Sequence, residues 1–340
     1  MTIEKNNSLP LDPIGKKTIR FKDCLEYFSL ILLIQFFKIL PRQIALKAGE
    51  FFGIIIYYIS SRHRKITLDN LKIAYGDTKN KEDRKEIAKN TFRNVGRVAA
   101  EFSKMASYKM DFIDKIIEVE GWENFERAVK KKKGIVFLTG HLGNWELMAY
   151  SQSLRGFPIN IIARPLDNPA VEDFVCKRRS ASGNRVIAKK SALKDIMQCL
   201  KNREHIGILL DQNVAQQEGI FVDFFGKMAC TSFGLAMIAL KADITILPVF
   251  MVYIGNGRYK QLIGSEIEIR RNGDLEHDIA YNTALFTKII ESYIRRYPDQ
   301  WLWAHRRWKT QPKVMKWKKE RNIKIRRFEG QVDLRKIDNV

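Results

Sequence analysis

Two kinds of hydrophobic patterning divide the chain near residue 117. Ahead of that point the apolar residues fall in long runs. The stretch 25–40 is the most hydrophobic of all, interrupted only by Glu26, Gln35 and Lys38 and closed by Pro41. A second run, 51–59, ends in the basic group Arg62-His63-Arg64-Lys65. Runs of this length predict helices. Residues 81–107 then predict a charged-then-amphipathic helix. Beyond 117 the apolar runs shorten and become rich in β-branched residues. They predict strands at 116–119, 135–138, 159–163, 186–187, 206–210, 244–253 and 259–263, with a further candidate at 267–269. Between them, helices fit at 124–131, 145–154, 171–180, 193–202, 233–242 and 278–297. This alternation predicts an α/β layer fold with a central mixed, largely parallel sheet flanked by helices.

The N-terminal runs change that picture. The apolar core of 25–40 is shorter than the roughly 20 residues that cross a bilayer. Wide apolar faces with Lys and Arg at the flanks instead suit helices lying in a membrane interface. Four segments are therefore expected: a basic leader (1–24), an N-terminal hydrophobic helical membrane anchor (25–65), an α/β domain (66–312) and a basic tail (313–340). In the tail Trp317, Ile323, Ile325 and Phe328 are interleaved with Lys and Arg, a composition suited to an anionic bilayer. No small-residue cleavage site follows the first apolar run, so a secretory signal is not indicated.

Charge narrows the partners. The 60 Lys and Arg against 38 Asp and Glu give a formal net charge of +22, which favours anionic partners: a membrane surface, an acidic protein or nucleic acid. No helix-turn-helix, zinc-finger or RNP-like pattern supports the last. The four cysteines are scattered, with no C-x-x-C, which argues against a disulfide framework. The five histidines form no H-E-x-x-H and no short-range ligand pair, so no metal site is expected.

Chemistry concentrates in residues 134–146. A buried-type strand delivers His141 to a turn bracketed by Gly140 and Gly143, and Asn144 is a natural N-cap for the next helix. Glu146 follows in its first turn. A His141–Glu146 hydrogen bond across the turn would fix the imidazole tautomer and raise its basicity. The N–H groups around Gly143 and Asn144 could then receive a developing oxyanion. The same pattern also fits a turn histidine beside a first-turn acid interacting with the helix dipole. Further polar groups fall at strand ends: Arg164-Pro165 with Asn168, and Asp211-Gln212-Asn213. Trp301, Trp303 and Trp308 surround Arg306, Arg307 and Lys309, a grouping that suits an amphipathic, phosphate-bearing ligand.

Taken in order, these segments resemble the bacterial lipid A biosynthesis acyltransferases. His141-Leu142-Gly143-Asn144-Trp145-Glu146 resembles the family's H-x4-E/D signature, and Arg164-Pro165-x-x-Asn168 its R-P-x-x-N. Asp211-Gln212-Asn213 stands at its D-Q-D or D-Q-N position, and Phe224-Phe225-Gly226 with Thr231 in its F-F-G/A stretch. The segment 297–310 resembles its P-E-Q-x-x-W-x-H-R-R, and 66–74 its N-L segment. The resemblance spans about 25–312. It implies transfer of a fatty acyl group from acyl carrier protein, or coenzyme A, to a lipid hydroxyl, without a metal or redox cofactor. His141 would be the general base and Glu146 its orienting acid. Asp211 would stand near the histidine or the acceptor. Arg164, Asn168, Gln212, Arg306 and Arg307 would bind substrate. The implied place is the bacterial inner membrane, with the catalytic domain facing the cytoplasm. Asp211-Gln212-Asn213-Val214 departs from the D-Q-D-Y form, which leaves the acceptor open: a lipid A precursor, a glycerophospholipid or a phosphatidylinositol mannoside. The competing non-enzymatic reading is a membrane-peripheral basic binding module.

Overall fold

A computed structural model describes residues 20–189 and 192–312; the leader before Arg20 and the basic tail lie outside the described residues. Helices α1 (Phe21–Ile39), α2 (Arg42–Ile59), α3 (Ser61–Tyr75) and α4 (Lys81–Lys104) come first. The short α5 (Met110–Ile116) leads into an alternating α/β region. Its elements are β1 (Ile117–Glu120), α6 (Trp122–Lys130), β2 (Gly134–Thr139), α7 (Trp145–Leu154), β3 (Ile159–Ala163), α8 (Pro169–Ser180), β4 (Arg185–Ala188), α9 (Ala192–Lys201) and β5 (His205–Leu209). A hairpin of β6 (Gly219–Phe224) and β7 (Lys227–Ser232) is followed by α10 (Gly234–Lys241), β8 (Ile244–Gly255), β9 (Arg258–Ile263) and α11 (Leu275–Arg296).

Seven strands form one sheet in the order β1-β9-β8-β2-β5-β3-β4. From β8 to β4 all neighbours are parallel; β9 runs antiparallel to β8, and β1 is parallel to β9. The expected mixed, largely parallel sheet is therefore present. Strand β2 sits at its centre and is buried along its whole length. Its residues alternate between faces. Val136 and Leu138 join the apolar layer beneath α10 and α11, whereas Ile135 and Phe137 join the layer under α6 and α7. Two-sided burial explains why β2 reads as a continuous apolar run.

Three sequence expectations need correction. The candidate strand at 267–269 is irregular backbone, although the Ile267 N–H still donates to Ile246 O at 2.9 Å. The β6–β7 hairpin was not expected, and α3, read only as a basic stretch, is a full helix. The hairpin turns through Phe225 and Gly226, both at positive φ. Such turns usually carry Asn-Gly, so Phe-Gly gives little signal. Here tertiary contacts hold the strained residue: Phe225 N–H donates to buried Glu291 at 2.8 Å, and the Arg295 guanidinium stacks over its ring.

Helices α1 and α2 pack on α4 while keeping apolar side chains outside. Phe21, Leu25, Phe28, Leu32 and Ile39 of α1 are exposed, as are Ile44, Phe51, Ile56 and Ile59 of α2. No single helix among the described residues is long and apolar enough to cross a membrane; α2 and α3 meet in a 91° bend. Close contact of α2 with α4 requires glycine. A Cβ on Gly96 would fall 1.9 Å from Gly49 O, and one on Gly49 2.4 Å from Gly96 O. An ion pair reinforces the contact. Arg42 donates twice at 2.9 Å to fully buried Glu101, which also accepts from Tyr108 (2.6 Å) and Tyr259 (3.0 Å). Arg42 further donates to Gly257 O in the β8–β9 turn at 2.7 Å, tying the N-terminal helices to the sheet.

Candidate active site

Parallel register assembles the site. Thr139 of β2 pairs with Leu209 of β5, and Leu210 N–H donates to Thr139 O at 3.0 Å. Two residues further along each strand stand His141 and Asp211. Strands about 4.8 Å apart bring such equivalent positions within contact. Asp211 Oδ1 accepts from His141 Nδ1 at 2.9 Å, and Oδ2 accepts from the His141 backbone N–H at 2.8 Å and from Trp301 Nε1 at 2.7 Å.

Asp211 is almost wholly buried. Burial disfavours its charged form, but the adjacent imidazole and the three donors outweigh that cost and hold its pKa well below the usual carboxylate range. With Nδ1–H given to Asp211, Nε2 carries the free lone pair. The His141 side chain remains 20% exposed, enough to meet a substrate. The Gln212 amide nitrogen lies 3.4 and 3.3 Å from Nδ1 and Nε2, and the Trp145 ring packs edge-on at 5.0 Å.

The expected His141–Glu146 hydrogen bond is not the one Glu146 makes. Its carboxylate forms a two-pronged ion pair with Arg179 of α8, at 2.9 Å (Nε) and 2.5 Å, and accepts from Trp145 Nε1 at 3.2 Å. From the first turn of α7, a side chain beside an arginine fork gains more from that charge-assisted pair than from a neutral imidazole. The carboxylate hydrogen-bonded to the imidazole is that of Asp211, 70 positions away in sequence.

The turn itself is clamped. Gly143 has φ +64°, and a Cβ there would lie 1.7 Å from Met251 O. Its N–H donates to Gln300 O at 3.0 Å, and Asn144 N–H donates to Met251 O at 2.7 Å. Those two N–H groups, expected to face an oxyanion, are thus already committed. The N–H groups of Trp145 and Glu146, the first two residues of α7, take no partner among the described residues. Asn144 caps the helix by accepting from Leu147 N–H at 3.0 Å. Asn94 of α4 braces the turn from outside, donating to Gly143 O (3.0 Å) and Gln300 O (3.1 Å). Nothing in the local sequence around Asn94 marks this role.

The remaining expected substrate ligands divide. Arg164 is exposed on the loop after β3, two strands from β2, with Asp167 at 3.5 Å. Arg306 is exposed on the segment that carries Trp301. Arg307 is fully buried, which overturns its reading as a phosphate ligand. It donates to Cys230 O at 2.9 Å and to Thr231 Oγ1 at 2.5 Å and stacks on Phe224. Burial pulls its pKa down to about 10. Asn168 is also structural: it caps α8 through Ala170 and Val171 N–H and donates to Asp23 O of α1 at 2.8 Å. The three tryptophans are buried rather than offered to a ligand. Asn70 of α3 holds their segment, donating to Trp303 O (2.8 Å) and His305 O (2.6 Å). Burial lowers the pKa of His305 to about 4, opposed in part by Asp211 and reinforced by His141 and Arg307.

A buried carboxylate holding a partly exposed imidazole at the mouth of a parallel sheet is an arrangement able to take a proton from a hydroxyl. The comparisons with known proteins agree in kind. The chain is 28% identical over 293 residues to a lipid A biosynthesis palmitoleoyltransferase of Escherichia coli K12, covering 85% of this chain and 92% of that protein. It is 27% identical over 274 residues to the lauroyltransferase of the same strain, covering 80% and 88%. With the corresponding myristoyltransferase it shares 23% over 254 residues, covering 74% and 76%. The profile of one family, described as bacterial lipid A biosynthesis acyltransferase, matches residues 15–310. The chain belongs to that family and is an acyl-transferring enzyme.

Proposed function

We propose that this enzyme transfers a fatty acyl chain from a thioester, on acyl carrier protein or coenzyme A, to a hydroxyl of a lipid A precursor. His141 Nε2 takes the proton of the acceptor hydroxyl as its oxygen attacks the thioester carbonyl. Asp211 holds the ring in the tautomer that leaves Nε2 basic and stabilises the imidazolium that forms. The tetrahedral intermediate's oxyanion meets the free N–H groups of Trp145 and Glu146 at the positive end of α7. As the intermediate collapses, the C–S bond breaks, the ester remains and the imidazolium proton passes to the leaving thiolate. Glu146 acts at one remove, its ion pair with Arg179 fixing the first turn of α7. Gln212 donates to an oxygen bound beside Nε2, and the exposed Arg306 and Arg164 meet acceptor phosphates.

The observation that carries this reading is the His141–Asp211 pair, which leaves Nε2 as the lone-pair nitrogen at a partly accessible edge, with the Gln212 amide 3.3 Å away. The exposed apolar faces of α1 and α2, followed by the basic start of α3, suit a protein resting on an anionic membrane, with the helices in the interface rather than across it. The +22 charge suits an acidic carrier protein as well as that surface. The test is mass spectrometry of lipids from cells expressing the protein or its His141→Ala variant. One added acyl chain on lipid A-type species, absent with the variant, is the expected result. The same gain on glycerophospholipid or phosphatidylinositol mannoside would move the acceptor and keep the mechanism. Transfer that persists at the wild-type level in folded His141→Ala protein would overturn it.

A further inference from the structure

The inference that follows rests on the acyl-transfer reading and names the part of the molecule that measures the donor chain. An apolar cavity of about 230 Å³ lies between α1, α2 and α4 and the segment after Trp301. Phe37 of α1, Phe52 of α2, Val95 and Ala99 of α4, and Leu302 with Ala304 line it. No polar atom contributes to its surface. The hydroxyl of Thr91, also at the wall, is turned back onto Ile87 O at 2.9 Å. An apolar space of about 150 Å³ stays dry and takes a six-carbon ring; by proportion this one takes about nine carbons.

Its position relative to the chemistry is defined at one end. Leu302 N–H donates to His141 O at 3.0 Å, so the wall begins one peptide from the imidazole. Asn94, which braces the histidine turn, is followed on α4 by Val95 of the wall. Ala99 lies five residues beyond Asn94 along that helix, about 7.5 Å away. Phe37, also at the wall, packs against Ala45, Leu46 and Ala100. The other walls are the two helices whose outer faces are exposed and apolar, so the cavity stands one helix thickness from the surface assigned above to the membrane.

We infer that this cavity receives the distal carbons of the donor's acyl chain, with Val95 and Ala99 setting the length accepted. Only an unbranched hydrocarbon suits a narrow space with no hydrogen-bonding partner, because a buried polar group there would remain unsatisfied. A thioester carbonyl held at His141 has its chain beside the wall that Leu302 forms. The named relatives transfer lauroyl, myristoyl and palmitoleoyl groups, so within such proteins the length selected differs. Small residues at 95 and 99 leave the far end open in this chain.

The experiment uses the full-length protein and a series of saturated acyl carrier protein thioesters from eight to sixteen carbons. Ala99→Leu and Val95→Phe are compared with wild type by kcat/KM for each donor. Both positions are only partly buried, so the added carbons enter the cavity rather than the protein core. The expected result is a preference moved by two to four carbons toward shorter donors. The longest chain should lose at least tenfold against the shortest, with thermal stability within a few degrees of wild type. A uniform change across all donors, or an unchanged profile, would overturn the inference. Should the wild type transfer no acyl chain from any donor, the acyl-transfer reading itself has failed, a result distinct from a wild type that transfers and a profile that does not move. If Ala99→Leu is unstable, Ala304→Val narrows the cavity from the other wall, and the same shift is required of it.

Discussion

Replacing Asp211 with asparagine separates orientation from shape. Asparagine occupies nearly the same volume, and its oxygen can still accept from the His141 backbone N–H and from Trp301 Nε1, which share Oδ2 in the native protein. The amide nitrogen then stands where Oδ1 receives Nδ1–H at 2.9 Å. Two donors would face each other, so the imidazole moves its proton to Nε2 and ceases to be a base toward the acceptor. The same change in a Ser-His-Asp triad costs on the order of 10⁴-fold, or about 5 kcal/mol of barrier. Stability should suffer less. Two hydrogen bonds to a charged acceptor become neutral ones, a loss of about 1 kcal/mol each. The sign with pH follows from the depressed pKa of Asp211. Its ionised form contributes stability above the unfolded value near 3.9, and that contribution is lost as pH falls through the lower folded value. Wild type should therefore lose its advantage over the variant only in strong acid. The assay is thiol release from an acyl carrier thioester with acceptor present, alongside thermal unfolding. A folded Asp211→Asn enzyme with more than a tenth of wild-type kcat would refute the reasoning.

Glu146→Gln should cost about 10–100-fold in kcat, because it loosens the first turn of α7 rather than changing the base; a loss as deep as that of Asp211→Asn would return the orienting role to Glu146. Arg307→Ala should lower stability by about 3–5 kcal/mol through its lost bonds to Cys230 and Thr231 and the cavity it leaves, and a folded variant with normal Tm but a raised acceptor KM would contradict this. Asn94→Ala removes the Asn94 donor from the buried Gly143 carbonyl and leaves Gln300 O with the Gly143 N–H, at about 1–3 kcal/mol, and kcat should fall with it; unchanged denaturant midpoint and rate would count against the bracing role. His305, whose folded pKa of about 4 lies below its unfolded value near 6.5, stabilises the fold above pH 6.5 and loses that contribution as pH falls toward 4. His305→Gln should thus flatten the decline in stability between pH 7 and 5, measured by denaturant titration.

Much of this was legible before any coordinates. The apolar run ending at Thr139 and the Asn144 cap give β2 and α7 their places, because both signals are local. Asp211 was legible as a strand-end carboxylate, and the resemblance left open whether it meets the histidine or the acceptor. That pairing depends on β5 lying beside β2, although β3 and β4 separate them in the chain. Sequence proximity favoured Glu146 instead, and its actual partner, Arg179, belongs to another helix. Arg307 and the tryptophans look like surface groups for a phosphate ligand because their composition is amphipathic. Only packing reveals that Phe224, Cys230 and Thr231 enclose the guanidinium. Asn94 and Asn70 carried no signal, since an asparagine inside a helix announces nothing about the carbonyls it will meet.

The clamp on the histidine turn has a consequence for biosynthesis. Asp211 lies 70 positions after His141, and Trp301 a further 90 beyond it. At roughly 5–20 residues per second, a ribosome that has just made His141 needs about 8–30 s to supply the indole that completes the carboxylate's set of donors. Gln300 and Leu302, which hold Gly143 and His141 from the same late segment, arrive no earlier. During that interval the apolar helices α1 and α2 are already outside the ribosome and free to meet a bilayer, while the His141 turn lacks its late clamp and, for the first 70 residues, Asp211 as well. The nascent chain can therefore settle on lipid before it is able to modify one, and a chain broken off before residue 300 would be an inert passenger there.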